Sequence, residues 1–147
     1  QFRAGLLGAA AAILLLAGGV VAFRAAGAPP AQVAASAELV PTGLVPDLEG
    51  SIEVTPVRSG LRVDLDAPTL PRRDGGRYYE GWLQLDDGFL VPIGTFHEGA
   101  DVTLWAGIEL DRVVGMTITL ERAAVGSSPD QASSGEVVLK ADIVADT

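Results

Sequence analysis

Residues 78–88 read Tyr-Tyr-Glu-Gly-Trp-Leu-Gln-Leu-Asp-Asp-Gly, two tyrosines, a tryptophan and three carboxylates in eleven positions. Two carboxylates flanking a bond are the minimum for glycoside hydrolysis, one as acid and the other as base or nucleophile. Here the available pair is Glu80 with Asp86 or Asp87, and no sugar-binding groove accompanies it in the sequence. Acyl-transfer chemistry needs a nucleophile, a base and a group that orients the base. The one histidine, His97 in Gly-Thr-Phe-His-Glu-Gly, stands at a strand end, and no serine occupies a nucleophile elbow. Calcium draws several oxygens from one loop. Asp64 with Asp66, two apart on a strand face, and Glu98 with Asp101, flanking a turn, match no such loop. Thiolate metal sites and disulfides are excluded because the chain has no cysteine. The expectation is a protein that is not an enzyme, with no cofactor, no metal and no small-molecule substrate.

Charge narrows the partners. The 147 residues carry a formal −9, unevenly placed: from Ser36 onward eight Lys or Arg stand against 19 Asp or Glu, a net of −11. Such a surface repels a phosphate backbone, so nucleic acid is not an expected partner. It can attract basic patches on another protein.

Before Ser36 the composition is different. Ala4 to Phe23 is a run of twenty residues without a charge or a strong polar group, bracketed by Arg3 and Arg24. As a helix it covers roughly 30 Å, the thickness of a bilayer core. A cleaved signal peptide is the competing reading, with Arg-Ala-Ala-Gly-Ala-Pro-Pro-Ala supplying small residues, but the apolar run is longer than a usual signal core. Residues 1–23 are therefore expected to form a transmembrane helix in contact with membrane lipid. One arginine at each end leaves the orientation undecided by charge. Gly5 with Ala9, and Gly8 with Ala12, offer a smooth face on which helices of other membrane protein subunits could pack closely. Residues 24–36, with Pro29-Pro30, read as an Ala/Pro-rich stalk.

From residue 37 to 147 the apolar period is two, the signature of strands. Leu61, Val63 and Leu65 alternate with Arg62, Asp64 and Asp66. Met116, Ile118 and Leu120 alternate with Thr117, Thr119 and Glu121, and Val137, Leu139, Ala141 and Ile143 share one face. Weaker strands are expected at 34–40, 50–57, 77–85, 89–96 and 101–106. About eight short strands separated by turns predict an all-β domain, an antiparallel immunoglobulin-like sandwich. Asp86-Asp87-Gly88 falls between two strands, where Gly tolerates positive φ, and reads as a hairpin turn. The aromatics Tyr78, Tyr79, Trp82, Phe89, Phe96 and Trp105 are expected to fill the core. Glu80 shares a face with Tyr78 and Trp82. A carboxylate there needs a partner, which Arg62, Arg77 or Arg122 could provide as a tie between strands. The sharper alternative is a recognition contact, in which Glu80, Asp86 and Asp87 are what the domain offers to a partner.

With those residues in view, a family resemblance is evident. Tyr-Tyr-Glu-Gly-Trp-Leu-Gln-Leu-Asp-Asp-Gly followed by Val-Pro-Ile-Gly-Thr-Phe resembles the Tyr-Glu-x-Trp-Leu … Pro-x-x-x-Gly-x-Phe pattern of the C-terminal, extracytoplasmic domain of anti-sigma-K factors. Residues 116–143, a Thr-x-Glu strand, a small-residue loop with proline and a Val-rich strand, are similar to that family's second signature. The likeness covers about residues 37 to 145. It departs at Gly81, where alanine is common, at Arg122, where proline is frequent, and at residues 99–114, which are more acidic than the pattern suggests. The resemblance implies a cell-membrane protein with its N-terminus inside, signalling through regulated proteolysis. It also implies that a sigma factor is reached only through an upstream cytoplasmic domain outside these residues. The alternative expectation is an accessory subunit of a larger membrane complex, for example a respiratory assembly, docking through both helix and β domain.

Overall fold

A computed structural model of the chain describes residues 30–123 and 133–144. The predicted membrane helix, with Gly5, Gly8, Ala9 and Ala12, lies outside these residues. Among the described residues no helix is long and apolar enough to cross a membrane.

The described residues are all-β. The strands are β1 (Ala35–Glu38), β2 (Val40–Pro41), β3 (Ser51–Val57), β4 (Gly60–Asp66), β5 (Arg77–Leu85), β6 (Leu90–Phe96), β7 (Val102–Ala106), β8 (Val113–Arg122) and β9 (Val137–Asp142), with a 3-10 turn at Leu110–Arg112 before β8. They form two antiparallel sheets, ordered β1-β3-β4-β7 and β2-β9-β8-β5-β6. The chain changes sheet at Leu39, between β1 and β2, and again between β2 and β3, β4 and β5, β6 and β7, and β7 and β8.

Alternation explains which face of each strand is buried. In β4, Leu61, Val63 and Leu65 are buried while Arg62 and Asp64 point away. They meet Tyr79, Leu83, Met116, Ile118 and Leu139 of the other sheet in one apolar cluster. Space in that cluster is tight at Gly81, on the buried face of β5: a Cβ there would lie 2.8 Å from Leu104 Cδ1 of β7. An alanine there would require the Leu104 side chain to shift. Tyr79 is fully buried. Its hydroxyl donates to the Pro71 carbonyl at 2.7 Å and accepts from Arg73 Nε at 2.8 Å, which satisfies the phenol without water.

Three corrections to the sequence reading follow from register. Val138, not Val137, is the buried residue beside Leu139, because the β8–β9 register shifts between Ile118 and Thr119 and leaves Val138 without a cross-strand partner. Thr119 and Glu121 do lie on the face turned away from the cluster, as alternation requires, yet both are buried there. Phe89 and Trp105 are not core residues: they are 71% and 55% exposed. Phe89 follows the Asp86-Asp87-Gly88 turn, and Trp105 lies between the inward-facing Leu104 and Ala106, so its ring faces outward.

Trp82 is 4% exposed and stands outside the central cluster. It lies on the outer face of the five-stranded sheet, where its indole N–H donates to Thr119 Oγ1 at 2.9 Å. The two tryptophans should thus behave oppositely. Trp82→Ala should cost on the order of 3–5 kcal/mol, through lost ring contacts and a cavity. Trp105→Ala should stay within about 0.5 kcal/mol of wild type. Denaturant unfolding of the two variants, compared at equal m-value, checks the contrast.

Candidate interaction surface

The outer face of the five-stranded sheet carries Glu80 among polar neighbours. Register sets Tyr78 opposite Glu121, Glu80 opposite Thr119 and Trp82 opposite Thr117. Glu121 is the most heavily bonded of these. Its Oε1 and Oε2 accept the Ser134 N–H at 3.0 and 2.9 Å, and Oε1 also accepts the hydroxyls of Ser133 and Ser134. The Ser134 hydroxyl is also 2.8 Å from the Leu120 carbonyl, and the Leu120 N–H donates to the Glu136 carbonyl. The carboxylate therefore anchors the chain as it returns from the end of β8 to the start of β9. Burial pushes the Glu121 carboxyl up, but hydrogen bonds from Thr119, the Ser134 N–H and the two serine hydroxyls outweigh it and hold the group below the ordinary Glu value.

Glu80 is half-buried on the same face, and its carboxyl is raised, first by burial and then by the Glu121 charge. The expected arginine tie is not found among the described residues. Arg62 belongs to the other sheet and pairs with Asp64 at 2.8 Å. Arg122 sits opposite Arg77 at the end of the β5–β8 ladder, and Arg77 Nε is buried without a hydrogen-bond partner. Glu80 is thus half-buried without a cation beside it. Two shallow clefts open at this end of the sheet. One, of about 300 Å³, is lined by Arg77, Leu120, Glu121, Arg122, Ser134 and Glu136; the other, of about 330 Å³, by Tyr78, Thr95, Phe96 and His97. His97 Nδ1 lies 3.0 Å from the Arg73 carbonyl, an exposed contact with backbone and not with a nucleophile.

Asp86 and Asp87 occupy the β5–β6 turn, with Gly88 at φ 86° and its N–H donating to the Leu85 carbonyl at 2.9 Å. Glu80 lies six residues away along β5, roughly 20 Å at strand rise, so the three carboxylates do not form one site. The aspartates are also engaged. Arg112 Nη2, from the 3-10 turn, donates to Asp86 Oδ1 at 2.9 Å and to Asp87 Oδ2, and the Asp86 N–H donates to the Arg112 carbonyl at 2.9 Å. The Phe89 N–H and then Arg112 hold the Asp87 carboxyl below its ordinary value. Asp64 is similarly occupied by Arg62 and the Thr103 hydroxyl. Among the described residues no group of three His, Cys, Asp or Glu side chains could hold a metal ion. Sequence reasoning missed the anchoring role of Glu121; its signal was the Ser133-Ser134 pair just before the last strand.

The family comparison is decisive over most of the chain. Residues 6–137 match the family described as anti-sigma-K factor RskA, C-terminal. The chain belongs to that family. Its members are regulatory membrane proteins and not enzymes. No curated protein and no solved structure matches the chain. The match includes both the Tyr-Glu-x-Trp-Leu strand and the Glu121 region, so the two carboxylates of the outer face fall inside the part shared with the family.

Opposite pH behaviour should separate these two carboxylates. Glu121 is depressed in the fold, so its contribution is present above the unfolded Glu value of about 4.3 and fades as pH falls through the folded value. Glu121→Gln should destabilise the domain at pH 7 by on the order of 1–3 kcal/mol, with the difference closing on acidification. Glu80 is raised, so its ionisation opposes folding above the folded value and not below the unfolded one. Glu80→Gln should raise the melting temperature at neutral pH and leave it unchanged at low pH. Thermal melts of both variants across acidic to neutral pH test the pair of signs.

Proposed function

We propose that this chain is a non-enzymatic, single-span membrane protein whose β domain, an immunoglobulin-like sandwich on the extracytoplasmic side, serves protein–protein interaction as the sensor domain of a membrane anti-sigma factor. The observation that carries this reading is the family match from residue 6 to residue 137, a range that takes in most of the apolar N-terminal stretch and reaches the first residue of β9. Supporting it, several polar side chains of the β domain are engaged within the domain: Glu121 with serines, Asp86 and Asp87 with Arg112, and His97 with a backbone carbonyl. A sigma factor would be held by a cytoplasmic segment of the regulator, while the membrane helix and the outer domain report on what binds outside. The accessory-subunit alternative draws no support from the family match.

In this reading the helix face of Gly5, Gly8, Ala9 and Ala12 packs against other membrane subunits, and the acidic domain steers encounter with a basic surface. Asp86 and Asp87 contribute through what charge Arg112 leaves on the hairpin. A fusion of alkaline phosphatase after Thr147 should be active and a cytoplasmic reporter at the same site inactive; the reverse pattern overturns the sidedness. In mild detergent, Gly8→Leu should reduce co-purification of partners at every salt concentration, whereas Asp86→Lys with Asp87→Lys should matter mainly at low salt. If neither change nor removal of residues 1–23 alters what co-purifies, the interaction reading fails.

A further inference from the structure

The two sheets end in four edges, and three of them are guarded against pairing with another strand. β2 is two residues long and includes Pro41. β6 contains Pro92, which has no N–H to donate, Gly94 at φ 145°, and a register break opposite Gly81 and Trp82. β1 has four residues before the chain leaves for the other sheet at Leu39. Natural sheets blunt their edges with such devices: short strands, prolines and bulges.

β7 has none of them. Val-Thr-Leu-Trp-Ala is rich in strand formers and free of charge and proline, and it keeps unbroken register with β4 from Val102 to Ala106. Its outward side chains are Thr103 and the exposed Trp105. The segments around it are acidic. Asp101, in the left-handed region at φ 52°, precedes the strand, and Glu109 and Asp111 follow it; all three are exposed. The neighbouring Glu98 is taken by Arg72, and Arg112 is taken by the hairpin aspartates. This is the stretch whose acidity departs from the family pattern.

We propose that the free edge of β7 is a docking site for an extended, basic segment of a partner protein, added as a fifth strand to the β1-β3-β4-β7 sheet. The proposal rests on the domain's being an interaction module and names where it binds and what chemistry it takes. Main-chain hydrogen bonds to β7 supply the pairing, and alternate side chains read the two faces. Lysine or arginine on the outer face would lie beside Trp105, whose ring accepts a cation and an aliphatic stem, and between acidic groups at both ends. A second copy of the chain is disfavoured as occupant. Antiparallel pairing of two β7 strands brings the Asp101 end of one beside the Glu109 and Asp111 end of the other, and the like charges repel.

The test uses the full chain in detergent and a labelled seven-residue peptide alternating Lys and Val, with the same peptide N-methylated at alternate residues as control. The N-methylated form keeps the charge and loses strand pairing. The unmodified peptide should bind, slow hydrogen exchange of the amides of residues 102–106, and lose affinity with salt. N-methylation should weaken it about tenfold or more, as should Thr103→Lys with Trp105→Lys, a lysine guard placed at exposed positions. Asp101→Asn with Glu109→Gln and Asp111→Asn should flatten the salt dependence. Circular dichroism melts establish that both variants remain folded. Equal binding of the N-methylated peptide, no binding of either peptide up to millimolar concentration, or self-association of the chain that the lysine pair abolishes would each overturn the proposal. Should β7 prove silent while co-purification still depends on residues 1–23, the edge site falls and the interaction reading stands.

Discussion

The fold depends on the way Tyr79 is buried. A phenol with no solvent access must have its hydroxyl satisfied by protein, and here the partners are the Pro71 carbonyl and Arg73 Nε. Both partners belong to the crossover that carries the chain from the end of β4 in one sheet to the start of β5 in the other. The Arg73 guanidinium also lies over the ring at 5.7 Å, and Phe96 of β6 packs against it at 5.6 Å between centroids. Around this point the backbone closes in the same sense: Arg73 N–H to the His97 carbonyl and Ala67 N–H to the Gly99 carbonyl. One side chain thus ties the crossover to β5, which its own ladders hold between β6 and β8.

The strands were legible in the sequence wherever a single period of two ran unbroken. β4 is the clearest case, because charged and apolar residues alternate without exception from Leu61 to Asp66. What was not legible is where the period slips. The shift between Ile118 and Thr119 turns Val138 inward, and no residue type in β9 announces it. Trp105 was misplaced by residue class, although its phase was readable from Leu104 and Ala106 on either side. Phe89 was misplaced for the same reason, since an aromatic next to a turn glycine has no strand position to bury it. For Glu80 the expected tie to Arg62, Arg77 or Arg122 is not formed among the described residues, and the carboxylate is only half-buried.

The scarcity of cations shapes the surface as much as the excess of acids does. Most of the engaged arginines are shared locally: Arg112 serves two hairpin carboxylates, Arg72 both Asp74 and Glu98, and Arg62 its strand neighbour Asp64. Exposed pairs of this kind add little stability. Their effect is to quiet the acidic charge at the β5–β6 turn and at Asp64 of β4, while Asp101, Glu109 and Asp111 beside β7 are among the acids left without an arginine. Glu121 shows the opposite solution, a carboxylate satisfied by N–H and O–H donors with no cation at all.

The chain enters its four-stranded sheet through β1, the edge opposite β7. This placement has a mechanical consequence. Tension arriving from the N-terminal side is delivered to the free end of β1 and passes to β3 through the four residue pairs from Ala35 to Glu38. If the far edge of the same sheet is held, the load crosses the ladders in the direction of their hydrogen bonds. Those rungs then open one after another, as in a zipper, instead of resisting together as they do when strands are sheared lengthwise. Leu39, where the strand changes sheets, is the stop at which such peeling meets a second ladder, that of β2 on β9. A domain loaded this way yields first at β1, while the core around Tyr79 stays closed.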